Sequence, residues 1–211
     1  MNPYWRQCAL VWLISGCAAC TSSPIRFYTL IAPEAANASP AARTTIVIDV
    51  RTVHIPVQLN RSQLMIRSGQ TQLVLLENER WASSLKDEIS DGVRLELQNR
   101  SAQMTESAPL KTFAKLSVAL DIQRLEAELG RYALIEASWS AHLTGASQAS
   151  SDIIVKNCSF RAYEEIRGGY SEIVEGYQRE TKALADAIFS ALTTSGRDIR
   201  AACQITAATG R

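Results

Sequence analysis

Histidine is almost missing from this 211-residue chain, with His54 and His142 the only two. A serine or cysteine nucleophile would have to borrow its base from one of them, and no Gly-x-Ser-x-Gly elbow occurs, so triad hydrolysis is set aside. No cluster of cysteine and histidine has zinc-ligand spacing, and no metal centre is expected. Gly168-Gly169 is followed by no lysine motif, so it reads as a turn rather than a phosphate loop, and no cofactor site is expected. Basic tracts are lacking too. The 22 Lys and Arg are matched by 21 Asp and Glu, which leaves nucleic acid no electrostatic footprint. A long hydrophobic run is also missing. The apolar stretch Cys8–Ile14 falls far short of the roughly 20 residues a spanning helix needs.

What the N-terminus does contain is an export pattern. Arg6 precedes that short apolar run, and Leu13-Ile14-Ser15-Gly16-Cys17 has the form of a lipobox. On this reading residues 1–16 are a lipoprotein signal peptide and Cys17 becomes the acylated N-terminus. Cys20, preceded by Ala18-Ala19, is the competing acyl site, and an unlipidated signal cut near Ala19 is the plainer alternative. Arg6 is the only charge in residues 1–16, so the remainder carries 21 basic and 21 acidic residues and no net charge. In an oxidising compartment Cys158 and Cys203 either pair or stay as two free thiols.

Residues 17–43, small, polar and rich in Ala, Pro and Ser, read as a tether and linker interrupted by Arg26-Phe27-Tyr28-Thr29-Leu30. The folded domain is expected over residues 44–200, with 201–211 a loose tail. Thr45–Val50 is β-branched and predicts a strand; Leu64–Arg67 and Thr71–Leu76 flank Ser68-Gly69-Gln70 and predict a hairpin. Trp81, Leu85, Ile89, Val93 and Leu97 recur every four residues and predict a helix over about Asn78–Asn99, capped by Asn78. Leu116–Ile122 and Ala133–Leu143 alternate with period two and predict an antiparallel pair. In a third strand, Ile154, Lys156, Cys158, Phe160 and Ala162 are expected on one face. A last helix is expected over Ser171–Leu192, with Ser171 and Glu172 at its start. Two amphipathic helices need a shared surface to bury them. The fold class expected is therefore α+β, a two-layer sandwich whose mostly antiparallel sheet is covered on one face by both helices. Trp81 and Trp139 are expected as core anchors. The uncovered face, polar at Ser138, Ser140 and His142, is left for a partner, and a homo-oligomer is expected.

Four pieces of this chain, in order, resemble a known family. They are Phe27-Tyr28-Thr29-Leu30 after the lipobox, the stretch His54–Arg67 with its Pro56, Asn60-Arg61, Gln63-Leu64 and Arg67, the stretch Glu79–Leu85, whose Arg80-Trp81-Ala82 and Leu85 are similar to the family's helix start, and Gly169-Tyr170 before the last helix. Together they are similar to the ABC-type transport auxiliary lipoproteins, the PqiC-like family. Val57-Gln58, and Glu172, Glu175, Arg179 and Glu180 in the last helix, depart from that pattern. The resemblance implies a non-enzymatic lipoprotein on the periplasmic face of the outer membrane. Its implied partners are a periplasmic MCE-domain protein and, indirectly, an ABC transporter that moves lipid. A pilotin-type lipoprotein that assembles an outer-membrane channel is the rival function.

Overall fold

The structure, a computed structural model, describes residues 23–33, 46–102, 113–145, 153–193 and 203–209. The proposed signal, Cys17 and Cys20 lie outside the described residues. The elements are β1 (Arg26–Tyr28), β2 (Val47–His54), β3 (Gln63–Ser68), β4 (Gln72–Trp81), α1 (Leu85–Ala102), β5 (Phe113–Glu128), β6 (Tyr132–Gly145), β7 (Ile153–Glu165), α2 (Tyr170–Thr193) and β8 (Gln204–Thr209). Among the described residues, eight strands form one sheet in the order β1-β4-β3-β5-β6-β7-β8, with β2 also paired to β5. The two helices pack together, α1 against β2 and α2 against β6 and β7, which is the expected α+β arrangement.

The centre of the sheet is antiparallel. β5 and β6 pair from Phe113↔Gly145 to Glu128↔Tyr132, and β6 pairs with β7 from Tyr132↔Glu165 to Leu143↔Ile153. A tight turn at Gly130 (φ 71°) joins β5 to β6, and one at Gly69 (φ 66°) joins β3 to β4; both glycines supply the left-handed conformation that side-chained residues resist. The flanks are parallel, so the sheet is mixed: β1 runs with β4, β2 and β3 with β5, and β8 with β7. Alternation places Leu116, Val118, Leu120, Ile122, Trp139 and Ala141 under the helices, all buried.

Three expectations need correction. The stretch Asn78–Trp81 is the end of β4, not the first turn of a helix. Glu79 and Trp81 are buried while Asn78 and Arg80 are half-buried, a period of two that the four-residue spacing from Trp81 onward obscures. The helix starts at Leu85, and its cap is Ser84, whose Oγ accepts from Asp87 N at 3.2 Å. In β7, Ile154 is 55% exposed and its neighbour Val155 is buried. The register shifts between Trp139 and Ala141, with Asn157 at φ 59°, so a bulge moves the buried set from Val155 to Cys158, Phe160 and Ala162. The last helix runs as expected, from Tyr170 to Thr193 with Ser171 and Glu172 in its first turn, and Glu172 N and Ile173 N donate to Gly169 O. Finally, both domain boundaries move outward, because β1 and β8 belong to the sheet although they lie outside 44–200.

Candidate functional site

The segment that leads from the sheet towards the proposed anchor is fixed by two acidic residues. Glu79 on β4, 4% exposed, accepts the Tyr28 hydroxyl at 2.7 Å and the Arg26 guanidinium Nε at 3.0 Å. Glu88 on the first turn of α1, equally buried, takes four donors: Thr29 Oγ1 at 2.7 Å, Leu30 N at 2.9 Å, Ser83 N at 3.0 Å and Ser83 Oγ at 2.8 Å. A buried carboxylate keeps its charge most readily when donors fill its lone pairs, and here Tyr28, Thr29 and Leu30 supply them together with Arg26 and Ser83. Leu30 is itself buried, and Gln178 on α2 donates to Thr29 O at 2.9 Å. Gly92 makes room for this packing, since a Cβ there would meet Thr181 Cγ2 at 3.2 Å and Leu30 O at 3.5 Å. The aromatic tetrapeptide is therefore a latch that sets where the chain enters the domain. Sequence reasoning singled it out but placed it in the linker, because its partners lie more than fifty residues away.

A second constellation lies on the sheet face away from the helices. Glu126 on β5 accepts from Arg67 on β3 at 2.6 Å, from Arg124 at 3.2 Å and from the Tyr132 hydroxyl. These bonds, Arg67 first, hold its carboxyl down at about 2, against the smaller opposing effect of burial. Burial and the bond to Glu126 push Tyr132 up to about 12. Beside this cluster is a half-open groove of about 150 Å³, lined by Pro56, Leu59, Met65, Leu73, Arg124 and Glu126 among others. Pro56 and Arg67, two positions of the resembling stretch His54–Arg67, thus meet at one place. Further along the same face, Tyr132 and Tyr163 stack with ring centroids 5.5 Å apart.

The two histidines are not brought together. His54 lies opposite Asp121 and His142 opposite Ser117, four residues apart along β5, or about 13 Å at the usual strand rise. Trp139 and Ala141 are buried, whereas Ser138 and Ser140 are half-buried and His142 is exposed on the other face.

At the far edge Cys158 and Cys203 are bonded, with Cα atoms 4.4 Å apart across 45 residues of sequence. The bond sits where β8 joins β7, and Ser159 N donates to Cys203 O at 2.8 Å. Cys203→Ser is expected to cost about 2–4 kcal/mol, the usual range for a closed loop of this kind. Amide exchange should show the loss concentrated in β8 and the edge of β7. Unchanged protection there would mean that strand pairing alone holds the C-terminus.

Several residues of α2 that depart from the resembling pattern have visible work. Glu172 accepts from Arg167 N at 3.2 Å and tightens the loop before the helix. Arg179 ties the helix to β7 through Glu164 at 2.7 Å. Glu180 differs: it is 3% exposed, and both its carboxylate oxygens lack a hydrogen-bond partner, as does the buried Tyr177 hydroxyl. Burial first, then the charge of Glu164, pushes Glu180 up to about 9, with Arg179 opposing, so it is neutral inside the folded protein at pH 7.

A family model described as ABC-type transport auxiliary lipoprotein component matches residues 28–189, from Tyr28 of the latch to Phe189 of α2. The chain belongs to this family. As a member it is a lipoprotein component associated with an ABC-type transport system, and no helix among the described residues is long and apolar enough to cross a membrane. No curated protein matches it. One solved structure, of an uncharacterized protein, superposes with a TM-score of 0.55 at 15% identity, covering 78% of this chain and 96% of the other. A Xanthomonas campestris protein of family DUF330 gives a TM-score of 0.46 at 13% identity, covering 78% and 89%. At such identity the first likeness speaks to the fold alone.

Proposed function

We propose that this auxiliary lipoprotein is a non-enzymatic docking subunit, held by acyl chains on Cys17 at the periplasmic face of the outer membrane. There it receives a periplasmic MCE-domain protein on the path of lipid between the two membranes. The ATPase that drives the transporter lies elsewhere in the system, and this chain contributes position. The observation that carries the reading is the latch. Tyr28, Thr29 and Leu30 are fastened to Glu79, Glu88 and Gln178, so pull from an anchored N-terminus passes directly into β4 and both helices. A merely exported domain has no need of so rigid an entry point eleven residues from Cys17. Ala18 after Cys17 supports the outer membrane as destination, since aspartate at that place favours retention at the inner one. The uncovered sheet face, with its mixture of Arg67, Glu126, Met65 and Leu73, has the mixed polarity of a protein-binding surface.

Cys17→Ala tests the anchor. Metabolic labelling with a palmitate analogue is expected to fall to background in this variant, and the chain should leave the membrane fraction or persist uncleaved. Undiminished label would assign acylation to Cys20 instead.

A further inference from the structure

Strand directions gather several turns at one end of the sheet. β3 and β5 run parallel with Arg67 opposite Glu128, so the β3–β4 turn at Gly69 and the β5–β6 turn at Gly130 point the same way. β7 ends there too, with Glu165 opposite Tyr132. β1 runs parallel to β4, which starts at that end, so the chain enters β1 from the side of the turns. Arg26 pairs with Glu79, next to Arg80. The partner of Arg80 on β3 is Gln63, five residues from Ser68, which puts Arg26 about 17 Å from the turns at the usual strand rise.

The turn end carries exposed aliphatic side chains. Leu129 lies in the turn closed by Arg131 N donating to Glu128 O and is 43% exposed. Leu73, one residue inside β4, is 51% exposed, with Val74 beside it at 39%. β4 and β5 are two strands apart, so the two leucines stand about 10 Å from each other across the sheet. No residue from Ser68 to Leu76 is of a charged type. The nearby charges are matched, Arg131 with Glu128 at 2.6 Å and Arg167 with Glu165 at 3.6 Å.

We infer that this turn end rests on the phospholipid surface in which Cys17 is anchored, with Leu73 and Leu129 among the headgroups. The inference rests on the acyl anchor proposed above and adds an orientation to it. Cys17 is nine residues from Arg26, so the tether spans at most about 32 Å whatever its path. The turn end lies well within that reach and on the side from which the chain comes. The other end of β5, fifteen residues from Glu128, is about 50 Å from the turns and so about 33 Å from Arg26. To set that end on the membrane, the tether would have to double back and be stretched to its full length. Area decides between lipid and protein as the occupant. Three aliphatic side chains fall far short of the roughly 800 Å² per partner of a stable protein contact. They are enough to orient a chain whose affinity comes from its acyl groups. The paired arginines and glutamates leave the rim neutral, which suits zwitterionic headgroups. Leu73 is also a wall of the groove, so this seating opens the groove beside the lipid.

Tryptophan emission tests the seating. Beyond residue 17 the only tryptophans are Trp81 and Trp139, 4% and 3% exposed. Acylated chains carrying Leu73→Trp, Leu129→Trp or Ile154→Trp, each with Cys20→Ser, are reconstituted into phosphatidylcholine vesicles with and without bromine on the acyl chains. Bromine quenches an indole only on close contact, so burial against protein does not mimic burial in lipid. All three sites are exposed, and a larger side chain there does not disturb the core. The added emission of Leu73→Trp and Leu129→Trp is expected to be blue-shifted in both kinds of vesicle and mostly lost in the brominated ones. Ile154 pairs with His142, which lies opposite Ser117, about 36 Å along β5 from the turns. Ile154→Trp, and the chain with Cys20→Ser alone, are expected to keep their emission. Unquenched indoles at 73 and 129 in chains that float with the vesicles and carry palmitate label would overturn the seating and leave the anchor standing. Quenching confined to Ile154→Trp would overturn it in favour of the opposite end. Chains that lack the palmitate label would overturn the anchor at Cys17 and the seating with it.

Discussion

Glu180→Met is expected to stabilise the domain by about 3 kcal/mol at pH 7, a rise of roughly 6–12 °C in melting temperature for a domain of this size. The cause is the unpartnered carboxyl inside α2. Its ordinary value is 4.5, and in the fold it is pushed up to about 9. Below about pH 4.5 folded and unfolded chains both hold the proton, and no pH-dependent cost arises. As pH rises, only the unfolded chain releases it, so stability falls until the folded carboxyl also ionises near pH 9. Over that window the loss sums to about 6 kcal/mol, since each pH unit between the two values contributes about 1.4 kcal/mol. Glu180→Gln separates charge from polarity. It keeps a polar group in the core but is expected to flatten the decline between pH 5 and 9. Urea denaturation of the three proteins at several pH values measures this. Parallel pH curves for Glu180→Gln and the natural chain would show that Glu180 ionises freely and is not enclosed as described.

Trp81→Ala is expected to destabilise by about 3–5 kcal/mol, the usual cost of emptying a large buried aromatic site. Trp81 is 4% exposed, and its ring centroid lies 6.4 Å from that of Tyr177. It stands at the end of β4 beside Leu85, where sheet, α1 and α2 converge, and Tyr28 of the latch pairs with it across the strands. The indole thus packs towards Tyr177 of α2 at the point where the latch joins the sheet. Chemical denaturation should show the midpoint shift with little change in slope. Stability within about 0.5 kcal/mol of the natural chain would mean that the site collapses around alanine and that Trp81 is not an anchor.

Most of the architecture was legible because its signals are local. Leu116–Ile122 and Ala133–Leu143 alternate without interruption, Gly130 marks the turn between them and Gly69 that of the β3–β4 hairpin, and Ile173, Tyr177, Leu184, Ile188 and Leu192 trace one side of α2, these five all buried. Local signals misled where two periods coincided. Trp81 lies four residues before Leu85 and is buried on the same core, yet it ends a strand. They were silent where pairing partners are remote. β1 is three residues long and is held by Glu79 and by the neighbouring bonds to Glu88, while β8 is small and polar and owes its place to β7 and Cys203. The candidate groove was legible only in part. Pro56 and Arg67 stood in a stretch resembling the family, but Glu126 looked like the end of a strand before a turn. Nothing in its neighbours' sequence announces that Arg67, Arg124 and Tyr132 converge on it. Asn157 carries no signal of its bulge either, beyond the general tolerance of asparagine for positive φ.

The central claim, that an anchored domain receives an MCE-domain protein and does so without catalysis, is tested most directly by reconstitution. The acylated chain is placed in vesicles, purified MCE-domain protein is added without ATP or the transporter, and the vesicles are floated. The account predicts that the MCE protein floats with the vesicles, and that it stays below when the chain is omitted or carries Arg67→Glu in the groove. An MCE protein that fails to float with the properly anchored chain would contradict the docking role and favour a lipoprotein that assembles an outer-membrane channel.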